Sequence, residues 1–385
     1  MRHPLHEWAE ASLPEMLLDL ERLVLVESPS SDLAAVARSA DVVAEIGGRR
    51  IGFAPERIVL DGCTHLRWHL GSPEPDAPRV LLLAHHDTVW PIGTLETHPF
   101  SLQDGVIRGP GCFDMLTGLV MAVHAAAHLG HHPDAALTLL VTGDEELGSP
   151  TSRAMIEQEA DGCVAALVLE ASGDGGALKI GRKGTSNYRV EITGRAAHAG
   201  LEPEKGLNAT LEIAHQVGVV AQFADASVGT SVTPTLIHGG TTVNTVPAHA
   251  SVEVDVRALT AEEQHRVDDR FRSLTSSTGA RVAVHGGINR PPLEITATEG
   301  VWRRARAVAD ELGMSLPEAI VVGGASDGNF TAGVGVPTLD GLGAVGGGAH
   351  ADHEHVMVDD IPARTALLMG LIRDLLGIDA SATDA

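Results

Sequence analysis

The stretch Val80-Leu81-Leu82-Leu83-Ala84-His85-His86-Asp87-Thr88-Val89 decides how the chain is read. Five residues without a polar group, four of them large aliphatics, are followed at once by two histidines and an aspartate. An apolar run that does not alternate reads as a strand buried on both faces, as in a largely parallel sheet. Ligands in open α/β sheets sit at the carboxyl ends of such strands. His85 and Asp87 are two apart, so on a strand they share a side while His86 points away. An imidazole beside a carboxylate fits a metal ligand held by an orienting partner. A histidine-rich surface turn is the plainer alternative in a chain with 20 histidines.

Composition narrows the field. At 385 residues the chain exceeds one ordinary core, so two domains are expected. Hydrophobic residues at 44% and charged ones at 20% describe a globular protein. A formal net charge of -24 argues against a nucleic-acid partner, which Lys and Arg would have to hold. Carboxylates gathered around metal ions would account for part of that excess. Cys63, Cys112 and Cys163 are odd in number and far apart, which fits a reducing compartment and excludes a thiolate zinc cage. The N-terminus has no apolar run before its first acidic residue, and no segment is expected to reach the length of a membrane span. A cytoplasmic protein with no membrane partner is the expectation.

Around the opening stretch, strands and helices alternate. Ser12-Leu-Pro-Glu15 reads as the start of a helix, with Pro29 closing it, and Asp32 to Ile46 as a second. Strand-like pieces surround Ile58 and Leu66, and a Pro-rich turn spans Gly71 to Pro78. Asp114 to His128 reads as helical, Leu137 to Thr142 as a strand, Ser152 to Glu159 as a helix, and Cys163 to Leu169 as a buried strand ending in Glu170. Strands separated by helices point to a mostly parallel sheet with helices on both faces.

The character changes after Gly184. Tyr188 to Thr193 and Ser251 to Arg257 alternate polar and apolar residues, as half-exposed strands do. Helices near Gly206 to Gln222 and Thr260 to Ser277 complete a β-α-β-β-α-β segment, a smaller α+β domain with one open sheet face. After Arg290 the first pattern returns. The expected organisation is α/β: a catalytic domain in two parts, 1–183 and 292–385, interrupted by an inserted domain at 184–291.

Four buried strands, or the loops after them, end in acidic or imidazole groups: His85 with Asp87, Asp114, Glu145 with Glu146, and Glu170. A Gly-rich loop before the last helix adds His350. So many carboxylates at one sheet edge repel one another unless cations stand among them. Lys and Arg are scarce in these loops, so ion pairing is the weaker explanation. Two imidazoles and three carboxylates suit Zn²⁺, and a bridging carboxylate would join two ions into one site. Glu145 and Glu146 are neighbours and point differently. One should bind metal while the other moves protons, and the residues alone do not say which.

His85-His-Asp87-Thr-Val, Gly109-Pro-Gly-Cys-Phe-Asp114-Met, Asp144-Glu145-Glu146-Leu-Gly-Ser149 and Gly346-Gly-Gly-Ala-His350 resemble, in order, the motifs of the M20 family of di-zinc metallopeptidases. The similarity covers nearly the whole chain and is nearest to the glutamate carboxypeptidase branch. The resemblance implies that His85 and Glu170 hold one zinc and Glu146 and His350 the other. Asp114 bridges them, before a cis peptide to Met115. By the same resemblance Asp87 orients His85 and Glu145 is the general base. Co²⁺ or Mn²⁺ are substitutes such a site would accept. His353 and His355 read as surface residues.

The inserted domain resembles the family's lid and dimerisation domain. Gly194-Arg-Ala-Ala-His198-Ala-Gly200 resembles the loop whose histidine reaches the partner subunit's site and stabilises the oxyanion, and an ordinary loop histidine is the alternative. Gly240-Thr-Thr-Val-Asn244 and Arg257 match positions that contact substrate. Val252, Val254 and Val256 should face the packed side and leave Arg257 on the open face, where a guanidinium can take a carboxylate in two hydrogen bonds. Arg290 is a candidate for a second acidic group. Arg182, Lys183 and Asn329 are either near the site or structural. Leu116 stands where many relatives carry Lys, and Cys112-Phe113 replaces smaller residues.

The expectation is therefore a homodimeric di-zinc carboxypeptidase acting on a small peptide or N-acyl amino acid, with glutamate as a candidate terminal residue. An N-acyl-amino-acid deacylase or dipeptidase shares this chemistry. A non-catalytic, metal-dependent dimer that binds amino-acid-like ligands is the reading from another class.

Overall fold

Arg79–His85 forms an inner strand of a six-stranded sheet in the computed structural model, which describes residues 3–71, 74, 77–130 and 136–378. The strand order is Glu56–Leu60, Cys63–Gly71, Ala136–Thr142, Arg79–His85, Ala165–Val168, Thr338–Leu339. The inner strand runs parallel to both neighbours, and Thr338–Leu339 is also parallel to Ala165–Val168. The two outer pairings at the other edge are antiparallel. The Pro-rich turn expected from Gly71 to Pro78 lies largely outside the described residues.

The apolar run lacks alternation because both faces are covered. Val80, Leu82 and Ala84 share a core with Leu20, Val43, Met121 and Leu368, which come from the helices Pro4–Val24, Leu33–Ile51, Thr117–Leu129 and Ile361–Leu376. Leu81 and Leu83 face the other way, toward Met155 and Ile156 of the helix Arg153–Ala160 and toward Phe330. A side chain of this kind contributes about 1.5–3 kcal/mol when fully buried, so a charge anywhere in the run would be costly. The first polar side chain the run can carry is the one at its end, His85.

Three local expectations need correction. The first helix begins at Pro4, not near Ser12; His3 caps it, and Pro14 sits inside it. Burial of Leu5 and Ala9 extends the apolar face backward and offsets the hydrogen bond Pro14 cannot make. The helix expected from Asp114 begins at Thr117, with Asp114 outside helical angles at φ -117, ψ 95. Finally, Cys112–Leu129 does reach the length and apolarity of a membrane span, with 18 residues at mean hydropathy 1.4. Its apolar composition follows from position, since 83% of that stretch is buried inside the protein.

The chain forms two compact units. One comprises Met1–Gly181, Ile295–Val322 and Ser326–Ala385; the other comprises Arg182–Glu294 with Gly323–Ala325. The last three residues join the second unit through Arg182, whose Nη1 donates to the carbonyls of Gly324 at 3.1 Å and Ala325 at 3.5 Å.

The second unit is a four-stranded antiparallel sheet in the order Ser231–Gly239, His249–Ala258, Gly184–Thr193, Arg281–Arg290. Tyr188, Val190, Ile192, Val252, Val254 and Val256 pack with Ile213, Val220, Val267 and Phe271 of the helices Ala209–Ala221 and Ala261–Arg272. Arg189, Glu191 and Glu253 form ion pairs on the open face, which is the alternation seen in the sequence.

The helix expected to run to Ser277 stops at Arg272, because the residues beyond it have a different partner. Glu212, fully buried in Ala209–Ala221, accepts hydrogen bonds from Gln216, Ser276, Ser277 and Thr278. Burial opposes its charge, but the bonds from Thr278, Gln216 and Ser277 carry its pKa down to about 2. A depressed folded-state pKa stabilises the fold above the ordinary carboxylate range, and that contribution disappears as pH falls through the folded value. Glu212→Gln should therefore lower stability by about 2–3 kcal/mol at neutral pH. In urea unfolding, the gap to wild type should narrow as pH falls from about 4 toward 2. A gap that stays constant over that range would contradict the assignment.

Candidate metal centre

His85 closes the inner strand, and its ring is fixed at once. Nδ1 donates to the carbonyl oxygen of Asp87 at 2.9 Å, which leaves the lone pair on Nε2. That atom is buried and has no hydrogen-bond partner. What it faces are carboxylate oxygens, Asp114 Oδ1 at 3.4 Å and Glu170 Oε1 at 3.5 Å. In the neutral ring three acceptors turn toward one point, where a second ring proton or a cation would satisfy them.

A second such point lies on the other side of Asp114. His350 Nε2 is 3.4 Å from Asp114 Oδ2 and 3.2 Å from Glu146 Oε1. Donor atoms of His85, Asp114 and Glu170 lie within 4.8 Å of one another, and so do those of Asp114, Glu146 and His350. Each group offers one imidazole nitrogen and two carboxylate oxygens, a donor set that fits a divalent ion, and Asp114 belongs to both. The Asp114–Met115 peptide is cis.

The electrostatics record the same imbalance. Burial disfavours a charge on His85, yet Asp114, Asp87 and Glu170 hold its pKa well above the ordinary imidazole value. Asp114 and Glu146 carry His350 up to about 10. Burial and the Asp114 charge push Glu146 above the usual carboxylate range, against the pull of His350. Protons on the imidazoles offset this crowd of carboxylates in part, and divalent ions would displace them.

Close packing brings these groups together. A side chain at Gly118 would place its Cβ 1.9 Å from the carbonyl of Leu169, so only glycine lets the Asp114 turn lie beside the strand end that carries Glu170. Asp87 does more than the sequence indicated. Its carbonyl orients His85, while its carboxylate stands 3.5 Å from Nδ1. That carboxylate accepts from Ser30 Oγ at 2.6 Å, from the amide of Glu146 at 3.2 Å and from the amide of Glu145 at 3.3 Å. It thereby sets the turn that presents Glu145 and Glu146. Behind the turn, Asp144 accepts from the amides and hydroxyls of Thr151 and Ser152.

Cys63, His65 and Asp144 also place donor atoms close together. Here hydrogen bonds already fill the lone pairs: His65 Nδ1 accepts from Gly143 N, and its Nε2 meets Thr151 Oγ1. Burial, with the Asp144 and Asp87 charges, pushes the Cys63 thiol up to about 12. This cluster is a buttress. His86 is equally structural: Nε2 donates to Thr64 O at 3.1 Å, and burial lowers its pKa to about 4. His353 and His355 lie toward the surface. Cys112, Phe113 and Leu116 are buried in the core.

The remaining candidates, Asn329 apart, belong to the second unit. His198 is exposed, and its Nδ1 accepts from the amides of Gly200 and Leu201, both at 3.1 Å. Its ring proton therefore resides on Nε2, as an outward donor requires. The carbonyl of Asn244 accepts from Ala199 N at 2.9 Å, so His198 and Asn244 share one loop pair. Arg257 and Arg290 both lie directly opposite Thr185 on the central strand, one on each side. Arg257 has one guanidinium edge already engaged. Asp255, two residues earlier on the same face, already takes its Nε and Nη2 at 2.9 Å each. Arg182 donates to the carbonyls of Gly324 and Ala325, and Asn329 Oδ1 accepts from Ser326 N at 2.9 Å.

Sequence reasoning missed Ser30, Asp327 and Glu354. Asp327 accepts from Thr142 Oγ1 at 3.0 Å and from Ser149. Glu354 accepts from Trp90, Gly111, Phe113 and Asp114. Each acts on residues far away in the chain, so no local spacing marks it.

Comparison with known proteins gives a consistent result. Residues 81–374 match the family model described as Peptidase family M20/M25/M40. Carboxypeptidase G2 of Pseudomonas sp. (strain RS-16) is 30% identical over 376 residues, 94% of this chain and 89% of that protein. Succinyl-diaminopimelate desuccinylase of Thioalkalivibrio sulfidiphilus (strain HL-EbGR7) is 26% identical over 351 residues, 85% of this chain and 90% of that one. Among solved structures, the YXEP protein of Bacillus subtilis, described as a dinuclear metal binding peptidase from the M20 family, superposes with a TM-score of 0.65 at 14% identity. That match covers 96% of this chain and 99% of that one.

Proposed function

The chain belongs to peptidase family M20/M25/M40, and on that premise we propose that it is a di-zinc carboxypeptidase. In this reading it releases a C-terminal amino acid, glutamate being the first to test, from a small peptide or N-acyl amino acid. The observation that carries the metal reading is His85 Nε2, buried without a hydrogen-bond partner and turned toward two carboxylates, one of them shared with the His350 group.

His85, Asp114 and Glu170 would hold one ion, and Asp114, Glu146 and His350 the other. When bound, the ions supply Lewis acidity to water and to the scissile carbonyl. Glu145 is left for proton transfer: it is buried, 6% exposed, with its amide tied to Asp87. It takes the proton of the attacking water and passes it to the leaving amine. Asp87 keeps the His85 ring in the tautomer that leaves Nε2 for metal.

The inserted unit is proposed to join two copies of the chain. Its edge strand Ser231–Gly239 exposes Leu236 and Ile237 at 58% each, a surface suited to pairing with another strand. His198, with its proton on Nε2, would donate to the carbonyl oxygen at the partner's centre. Arg257 and Arg290 would recognise substrate carboxylates, Arg257 through the guanidinium edge that Asp255 does not cover. Three free, buried cysteines suit a cytoplasmic location.

A second reading, an N-acyl-amino-acid deacylase or dipeptidase, is favoured by the similarity to succinyl-diaminopimelate desuccinylase. A hydrolysis panel of acyl-glutamates, other acyl-amino acids and dipeptides, with added Zn²⁺, separates the two. Highest kcat/KM on acyl-glutamates supports the first, and preference for a succinylated amine or a dipeptide supports the second. Purified protein should hold two zinc ions per chain by elemental analysis. Glu145→Ala should keep both and lose about 10²–10⁴ in turnover. Protein that takes up no metal, or an active Glu145→Ala, would sink the mechanism. Chains carrying His198→Ala and chains carrying Glu145→Ala, each inactive alone, should regain partial activity when mixed. Verified mixed dimers without recovery would speak against a histidine that serves the partner.

A further inference from the structure

The turn that presents Asp114 does not hold itself. It precedes the helix Thr117–Leu129, and Asp114 departs from helical angles, so the amides of Phe113 and Asp114 lack helical partners. Gly111 opens the turn in the left-handed region at φ 72, where a Cβ would strike Thr88 at 2.6 Å. Successive amides in such a curve converge into a concave site for an anion. Buried N–H groups of this kind must find an acceptor.

The acceptor is one carboxylate. Glu354 Oε1 accepts from Phe113 N at 2.9 Å and Asp114 N at 3.0 Å, and Oε2 accepts from Gly111 N at 2.9 Å and Trp90 Nε1 at 2.8 Å. The residue is fully buried. Its own backbone lies four residues after His350, in a tight turn closed by Ala351 N to Gly348 O and Glu354 N to Ala351 O. Trp90 lies three residues after Asp87. One side chain thus ties together the segment after His85, the turn of the shared carboxylate and the loop of His350.

We propose that Glu354 is a positioning residue of the metal centre, fixing the Asp114 turn, which both cation groups share, against the His350 loop, which the second group needs. The inference rests on the metal reading above. Both carboxylate oxygens must be acceptors, and this makes the charge specific. In Glu354→Gln the amide nitrogen would face two N–H groups, so two of the four bonds become repulsive. Glu354→Asp keeps the charge but is one methylene short.

Zn²⁺ affinity measured against a chromophoric chelator, together with kcat, KM and the thermal midpoint, tests this. For Glu354→Gln the affinity for at least one ion should fall about 10–100-fold, as for other groups that orient metal ligands. At saturating Zn²⁺, kcat should fall while KM changes little, because no substrate contact is removed. Glu354→Asp should recover part of both. Glu354→Gln binding two ions with wild-type affinity, whether or not its thermal midpoint drops, would reduce Glu354 to a structural buttress. If Glu354→Gln does not fold, Glu354→Asp carries the test, and wild-type affinity there overturns the proposal. Wild-type protein that takes up no Zn²⁺ would overturn the metal reading itself, whereas normal wild-type loading with unaffected variants overturns only the role of Glu354.

Discussion

The shared carboxylate of Asp114 is the constraint on which the rest of the centre depends. It stands 3.4 Å from an imidazole nitrogen on each side, and neither imidazole can be moved without breaking its relation to a second carboxylate. Two elements remote in sequence must therefore meet around one side chain, the end of the inner strand and the Gly-rich loop of His350. The parallel sheet supplies the first meeting, because adjacent parallel strands deliver their carboxyl ends to one edge. Glycine at position 118 supplies the close approach of helix to strand that lets the turn of Asp114 reach it.

Much of this was legible in the residues, for physical reasons. The unbroken apolar run from Val80 to Ala84 could only be a strand covered on both faces, and the polar groups at its end had to emerge at the sheet edge. The alternation of Val252, Val254 and Val256 likewise marked one packed face of the smaller sheet. Periodicity reports which side of an element is apolar, and it worked wherever that was the question.

It failed where long-range hydrogen bonds decide the backbone. The first helix starts before Ser12 because an apolar face extends back to Leu5, which outweighs the local proline signal. The helix after Thr260 ends at Arg272 because Glu212, more than sixty residues earlier, gathers the amides and hydroxyls of Ser277 and Thr278. Asp114 lies outside its helix because its amide belongs to Glu354. Side-chain alternation put Arg257 on the open face but could not show that Asp255, on the same face, takes one edge of its guanidinium. Each miss concerns a polar group whose partner the chain brings from far away.

These partners also share a chemical logic. Asp19, away from the centre, is held by the cations Arg49 and Arg50 and by His124. Asp144 and Glu354, which shape the centre, take hydrogen bonds from hydroxyls, amides and an indole, and Asp87 takes its own from Ser30 and two amides, with the His85 ring beside it. Neutral donors satisfy a buried carboxylate without supplying a positive charge. A lysine or arginine in their place would fix the loops equally well but would partly neutralise the field that draws in divalent ions. The same field explains why the imidazoles are held above their ordinary pKa: the site is built with more negative charge than its own side chains can balance. An excess of that kind costs folding stability, and it persists where a bound ion restores the balance. The acidity at this edge of the sheet is thus a property of the centre and of the framework around it.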